Sequence, residues 1–209
     1  MLELNKPLLL ALPKGRFLEY SRGLIRNLFD SDATFDESLD RVTIHKNGSQ
    51  CFFLKPPDIP YLLVNKRIDI GIAPKEWCLE QRLSECQGIR LVKDALDKLK
   101  IKLCFFSDTG TWPDVNSLRV VTSFPNIVES YLNSNDLIKT RYKSVEIIPM
   151  KGSIEAMVSS VAHVGFDCVE TGSSIDSHNL AVIETYMESL DLQVWCLNES
   201  FEYASKIFN

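Results

Sequence analysis

Two short segments of this chain combine cations, hydroxyls and glycine in ways that suit an anion. The first runs Leu10-Ala-Leu-Pro-Lys-Gly-Arg-Phe-Leu18, an apolar stretch leading directly into a helical pattern. Lys14, Gly15 and Arg16 fall at the junction. The N–H groups of a helix start, together with two cations, make an anion site, and a glycine lets a ligand approach the backbone closely. A plain strand-to-helix turn with solvated charges fits the same spacing. The second segment runs Asp167-Cys-Val-Glu-Thr-Gly-Ser-Ser-Ile175. Thr171, Gly172, Ser173 and Ser174 offer hydroxyls and consecutive N–H donors, the chemistry of a phosphate cradle. Asp167 and Glu170 just upstream suit ribose hydroxyls or a magnesium ion. A Ser/Thr-rich turn before a helix is the plainer alternative. The rival Thr109-Gly-Thr-Trp112 predicts a loop, because Pro113 and Asp114 continue turn chemistry.

Other candidates are weaker. Asp58-Ile-Pro60 and Asp69-Ile-Gly-Ile72 frame a helix, with Asp58 expected as its N-cap and Pro60 in its first turn. Thr122 and Ser123, in Val120-Val-Thr-Ser-Phe-Pro-Asn126, suit either an anion or a cap. The histidines (His45, His163 and His178) suit surface or supporting positions better than general-base duty. There is no nucleophile elbow, no Walker A loop and no Gly-x-Gly-x-x-Gly fingerprint. Six scattered cysteines without a Cys-x-x-Cys pair, most of them in apolar runs, fit free thiols in a reducing cytoplasm rather than disulfides or structural zinc.

These residues must be positioned by an α/β framework. Short apolar runs predict strands at 8–12, 50–54, 68–72, 101–106, 118–122, 145–150, 165–169 and 192–197. Several are apolar throughout, as in strands covered on both faces. Helical spacing of Phe17, Leu18, Leu24, Ile25 and Leu28 predicts a helix there, with others at 126–133, 153–162 and 179–190. The expected architecture is two lobes with mainly parallel sheets and a central cleft. Lobe I takes residues 1–95 and about 180–209, and lobe II takes 96–179, with the charged stretch Lys93–Lys102 as the crossover. A length of 209 residues allows a sizeable core, and 45% apolar with 24% charged residues is the profile of an ordinary globular protein. A net charge of −5 lacks the broad basic footprint of a nucleic-acid binder. No stretch approaches the roughly 20 apolar residues of a transmembrane helix, and the acidic start with Pro7 is wrong for a signal peptide, so neither nucleic acid nor membrane is an expected partner.

Taken in order, the motifs are more specific than any one of them. Leu12-Pro-Lys-Gly-Arg16, Asp58-Ile-Pro60 with Asp69-Ile-Gly71, Val120 to Asn126, Gly152-Ser-Ile-Glu155 and Asp167 through Gly172 follow one another along nearly the whole chain. The series resembles the ATP phosphoribosyltransferases of histidine biosynthesis, in the short form that lacks a C-terminal regulatory domain. The resemblance implies a two-lobed α/β fold of the type II periplasmic-binding-protein kind. It also implies condensation of ATP with 5-phosphoribosyl 1-pyrophosphate to N1-(5-phosphoribosyl)-ATP and pyrophosphate. Magnesium carried by the substrate pyrophosphate, with no protein metal ligands, is part of the same implication. So are a histidyl-tRNA-synthetase-like regulatory subunit and a homodimer within a hetero-oligomer. Residue by residue, Thr171, Gly172, Ser173 and Ser174 match the loop that holds the 5′-phosphate. Asp167 and Glu155 match residues that face the ribose hydroxyls. Lys14, Gly15, Arg16, Arg41, Lys55 and Asp69 fall on the ATP and pyrophosphate side, with Arg16, Arg41 and Asp167 as the catalytic set.

The chain departs from the family pattern at several of these places. Thr171-Gly-Ser-Ser-Ile175 is followed by Asp176, where the family has a basic residue. Ser123 likewise replaces a basic residue, and Lys55 replaces an arginine, keeping charge but losing the bidentate fork. Pro74-Lys75-Glu76 stands for Gly-Lys-Asp, and Val161-Ala-His-Val164 stands for Gly-Leu-Ala-Asp. These changes define the alternative expectation, a catalytically weakened member that binds a nucleotide or serves in assembly. A solute-binding protein of the same fold is the third.

Overall fold

The computed structural model describes residues 7–29, 33–36, 41–44, 48–84, 87–93, 101–188 and 191–208. In chain order its elements are β1 (Leu9–Pro13), α1 (Leu18–Phe29), β2 (Ala33–Asp36), β3 (Arg41–Ile44), β4 (Ser49–Leu54), α2 (Asp58–Val64), β5 (Ile70–Pro74), α3 (Lys75–Glu80) and β6 (Ile89–Lys93). There follow β7 (Lys102–Ser107), β8 (Ser117–Thr122), α4 (Pro125–Ser134), α5 (Asp136–Arg141), β9 (Ser144–Pro149), β10 (Val164–Val169), α6 (Ser173–Ser177), β11 (Ala181–Met187), β12 (Leu192–Leu197) and α7 (Phe201–Phe208). The chain divides into two units, Met1–Lys98 with Asp191–Asn209, and Leu99–Leu190. The return to the first unit therefore falls near 190 rather than 180, because β11 pairs with β7 inside the second unit.

The first unit is built on a seven-stranded sheet of order β2-β3-β4-β1-β5-β12-β6. Its centre, β4-β1-β5, is parallel, and the flanking pairings are antiparallel. The second unit holds a five-stranded sheet of order β11-β7-β10-β8-β9, with β10-β8-β9 parallel and β7 antiparallel to both its neighbours. Both sheets are thus mixed, correcting the expectation of mainly parallel ones. Parallel strands do form the middle of each working region. In β5 every residue is buried, and in β1 all but the first, which explains their unbroken apolar sequences.

Consecutive residues of a strand face opposite sides, and β7 uses this directly. Phe105 packs on one face against Trp112, Tyr131 and Phe166, with ring centroids 5.1, 4.7 and 4.4 Å away. Phe106 joins a different cluster with Val121, Ile154, Val158, Ala162, Ile175 and Leu180. Burying rings of this size stabilises by about 1.5–3 kcal/mol each. On β10, Gly165 passes so close to Phe106 that an added Cβ would lie 2.2 Å from its Cε2. Any larger residue there must displace the Phe106 ring. In the first unit, α2 and α3 cover the sheet through Ile59, Leu63 and Cys78, packed with Ala11, Ile68 and Ala73. Arg90 of β6 stacks 3.7 Å from the Phe201 ring of α7.

Two helical expectations fail for local reasons. Residues 153–162 form only a 3₁₀ turn, Glu155–Met157, because Ser153 (φ 52°) and Ser159 (φ 72°) are left-handed. Residues 179–190 contain β11 instead of a helix. Ala-Val-Ile-Glu-Thr-Tyr-Met is rich in β-branched and aromatic side chains that suit a pleated surface. Asp58 is the first residue of α2, preceded by Pro57, so it is not the cap; Pro60 does lie in the first turn. The connector at 94–100, His45 and Cys86 lie outside the described residues.

Candidate active site

Each unit presents one sheet edge where parallel strands end and helices begin, the place where α/β sheets bind ligands. In the first unit that edge is cationic. Lys14 follows the last residue of β1, and its N–H donates to the Leu54 carbonyl, at the end of β4, over 2.8 Å. Register pairs Pro13 with Leu54, so Lys14 and Lys55 leave adjacent strands side by side. Gly15 sits at φ +73°, where a side chain would be strained, and the space beyond it is open. Arg16 is exposed, its guanidinium 5.5 Å from the Phe17 ring. The turn is clipped in place by Ser21, fully buried on α1, whose hydroxyl donates to the Pro13 carbonyl over 2.7 Å.

Lys75, read in the sequence only within Pro74-Lys75-Glu76, was not among the expected site residues. It follows the last residue of β5 as Lys14 follows β1 and Lys55 follows β4, placing a third cation along the row β4-β1-β5. The signal was available: Leu12-Pro13-Lys14 and Ala73-Pro74-Lys75 end two neighbouring strands in the same Pro-Lys. Asp69, by contrast, is not brought to this edge. It precedes β5, beside the start of β1, at the opposite end of the strands. Its carboxylate accepts from the Leu9 N–H at 2.8 Å and from the Ser200 hydroxyl at 3.4 Å. Asp69 is a staple between three segments of the first unit. Arg41 opens β3 opposite Phe52, and its side chain lies outside the described part of the structure.

The corresponding edge of the second unit carries hydroxyls and carboxylates. Asp167 lies on β10, one oxygen accepting the Cys168 N–H at 2.8 Å, the other accepting the Ser123 hydroxyl at 3.5 Å. Ser123 follows β8, while the buried Thr122 hydroxyl accepts the Phe124 N–H at 2.8 Å. Thr122 therefore caps the turn into α4 rather than facing a ligand. Beyond β10, Gly172 takes φ +80° at the start of α6. The Thr171 and Ser173 hydroxyls stand 3.0 Å apart, and Thr171, Ser173 and Ser174 are exposed. His178 and Ser177 both hydrogen-bond the Ser174 carbonyl, at 2.9 and 3.0 Å, closing the short helix. Ile154 and Ile175 share the Phe106 cluster, which ties the half-buried Glu155 and the Thr171–Ser174 turn to one apolar anchor. Asp176 is exposed one turn into α6.

The remaining titratable groups support the frame. His163 accepts the Arg119 N–H at its Nδ1 (3.0 Å), and burial together with Arg119 holds its pKa below the usual imidazole range. The described cysteines, 51, 78, 104, 168 and 196, are free thiols. Burial pushes Cys51 and Cys78 up and Cys196 up to about 11, so these three remain protonated and unreactive at neutral pH. Among the described residues no three His, Cys, Asp or Glu side chains gather to hold a metal ion. No helix among the described residues is long and apolar enough to cross a membrane.

Fold and site together define the class, a two-unit α/β protein of the type II periplasmic-binding-protein kind with a cationic strand edge in the first unit and a hydroxyl and carboxylate edge in the second. Solved structures agree. The aliphatic sulphonate binding protein SsuA of Escherichia coli superposes with a TM-score of 0.60 at 9% identity, covering 95% of this chain and 63% of that one. The Thermotoga maritima ATP phosphoribosyl transferase (HisG:HisZ) complex superposes with a TM-score of 0.77 at 23% identity, covering 95% of this chain and 92% of that chain. At the level of sequence, the HisG family profile, ATP phosphoribosyltransferase, matches residues 55–202. The ATP phosphoribosyltransferase of Sorangium cellulosum is 31% identical over 189 residues, covering 88% of this chain and 83% of that protein. That of Alkaliphilus metalliredigens is 31% identical over 186 residues, covering 86% and 82%. The chain belongs to the ATP phosphoribosyltransferase family.

Proposed function

We propose that the two strand edges divide the two substrates of the family reaction between them. That reaction condenses ATP with 5-phosphoribosyl 1-pyrophosphate to N1-(5-phosphoribosyl)-ATP and pyrophosphate, the first step of histidine biosynthesis. It is a pentosyl transfer: adenine N1 attacks the anomeric carbon, and the bond to pyrophosphate breaks as positive charge grows on the ribose. The protein's work is to align the reactants and to meet charge where it develops. On the second edge, Asp167 and Glu155 accept hydrogen bonds from the ribose hydroxyls. The exposed hydroxyls and N–H groups of Thr171 to Ser174 take the 5′-phosphate. Lys14, Arg16, Lys55 and Lys75 on the first edge take the phosphates of ATP or the leaving pyrophosphate, and Arg41 belongs with them. Asp69 is better explained as a staple. The observation that carries the reading is the hydroxyl-held Asp167 beside the Gly172 turn.

Magnesium fits as a substrate-borne ion. It prefers substrate phosphates, waters and one or two carboxylates over an all-protein cage. Asp167 and Glu155 are the carboxylates placed near such an ion, which would neutralise charge on the pyrophosphate. The free thiols favour a reducing cytoplasm. The similarity to a chain of the Thermotoga maritima HisG:HisZ complex supports a regulatory partner subunit; a histidyl-tRNA-synthetase-like partner and a homodimer of this chain inside the assembly complete the reading.

Incubation with ATP, 5-phosphoribosyl 1-pyrophosphate and Mg²⁺, with and without the regulatory partner, tests the reading through the absorbance of phosphoribosyl-ATP. Product in either condition supports it, and no product in both favours the nucleotide-binding or assembly role. Thr171→Ala is expected to raise the KM for the phosphoribosyl donor about tenfold, the loss of one charge-assisted hydrogen bond, with the KM for ATP unchanged.

A further inference from the structure

We propose that Lys151 is the cation that meets the 5′-phosphate of the phosphoribosyl donor, an assignment that rests on the transferase reading above. The second edge is otherwise unfavourable to a dianion. Asp167, Glu155, Glu170 and Asp176 all belong to segments that end or follow its strands. A phosphate there meets carboxylates as well as N–H and hydroxyl donors, so a cation beside it adds attraction where the donors are few.

Two described lysines stand at this edge. Lys102 opens β7, and the antiparallel register sets it opposite Val169, the last residue of β10. It is committed elsewhere, its Nζ lying 2.9 Å from Glu188. Lys151 follows the end of β9, next to β8. Its position is set on both sides. The Met150 N–H donates to the Thr122 carbonyl over 2.9 Å, and Met150 and Ile154 both pack on the cluster that contains Ile175. Ile175 adjoins Ser174, so one apolar anchor carries the lysine turn and the hydroxyl turn together. Gly152 (φ +80°) and Ser153 (φ 52°) turn the chain back sharply after Lys151. The side chain itself is exposed and makes no ion pair or hydrogen bond with any described residue. An uncommitted cation on a turn anchored by Met150 and Ile154 is poised for an anionic ligand. A lysine serves as a point charge, suited to a phosphate already oriented by hydroxyls.

The test uses the full chain, with its regulatory partner if turnover requires one. Calorimetry with ribose 5-phosphate and, separately, inorganic pyrophosphate compares wild type, Lys151→Ala and Lys151→Arg. Lys151→Ala is expected to weaken ribose 5-phosphate binding about tenfold, to raise the KM for the phosphoribosyl donor similarly, and to leave pyrophosphate binding and the KM for ATP unchanged. Lys151→Arg should stay within about threefold of wild type, since it keeps the charge. Ribose 5-phosphate binding unaltered in Lys151→Ala, an equal loss of pyrophosphate binding, or an arginine variant as weak as the alanine one would overturn the assignment. Wild type that makes no phosphoribosyl-ATP would instead remove the transferase reading itself.

Discussion

The two sheet edges are built alike and charged differently. Each is the carboxyl end of three neighbouring parallel strands, β4-β1-β5 in the first unit and β10-β8-β9 in the second. The first lines up Lys14, Lys55 and Lys75, one past each strand, with Arg16 beside them. The second offers Asp167, Glu155 and the Thr171–Ser174 hydroxyls, with Lys151 as its uncommitted described cation. The proposed division of substrates assigns these two edges to the two chemical problems of the reaction. Polyphosphate is a cluster of charge and needs cations, whereas a ribose with one phosphate needs acceptors for its hydroxyls and a small, oriented donor set. The same three-strand pattern supplies both by changing the residues at and just beyond the strand ends.

Removing one group from each edge should give the largest effects and should separate the substrates. Asp167→Ala is expected to lower kcat/KM for the phosphoribosyl donor by about 10²–10³-fold, the scale of losing a group aimed at developing charge. Arg16→Ala should produce a loss of the same order, on ATP or pyrophosphate release instead. Equal effects of both variants on both substrates in steady-state kinetics would break the proposed division. Next in size is Gly165→Ala, where a methyl group must displace the buried Phe106 ring that anchors the second edge. It should cost about 1–3 kcal/mol in urea unfolding, and calorimetric binding of ribose 5-phosphate should weaken along with it.

Asp69→Ala sharpens the comparison from the other side. It removes the acceptor of the Leu9 N–H at the far end of the first sheet, and is expected to cost about 1–2 kcal/mol of stability while leaving the KM for ATP unchanged. A large rise in that KM would return Asp69 to the ligand set. The smallest effect concerns His163 in the second unit. Its folded pKa lies below its usual 6.5, so the neutral ring's contribution is fully present above that value. As pH falls below it, the unfolded chain takes up the proton first and stability declines. Urea midpoints between pH 7.5 and 5 should therefore drop more in wild type than in His163→Gln. An identical drop would show that the ring does not sense the fold.

Much of the frame was legible in the sequence. The eight expected strands all exist within a residue or two, and 192–197 matches β12 to the residue, because an apolar run between turns has few other fates in a covered sheet. The hydroxyl turn and its glycine were also legible, since Gly172 occupies a backbone region that side chains avoid. The misassigned stretches were those where local and tertiary preferences compete. Residues 179–190 carry apolar spacing compatible with a helix, but β7 offers an open strand edge, and β-branched side chains take it. Short strands at the margins of the first sheet, β2, β3 and β6, have too little pattern of their own to be seen.

The sequence by itself determined the residue types at the strand ends and their order along the chain, and that order is enough to place the chain in its family. Only the tertiary structure decided where those residues lie and which of them already have partners. Asp69 and Lys14 look equally site-like in sequence, yet parallel strands have two ends, and Asp69 falls at the wrong one. Its carboxylate is spent on a backbone donor 60 residues away. Lys102 and Lys151 are alike in charge and both near the second edge, but Glu188, across the sheet, neutralises only the first. Which end of a strand a side chain occupies, and which charge already has a partner, are properties of strand pairing over long sequence separations, which no local pattern of residues encodes.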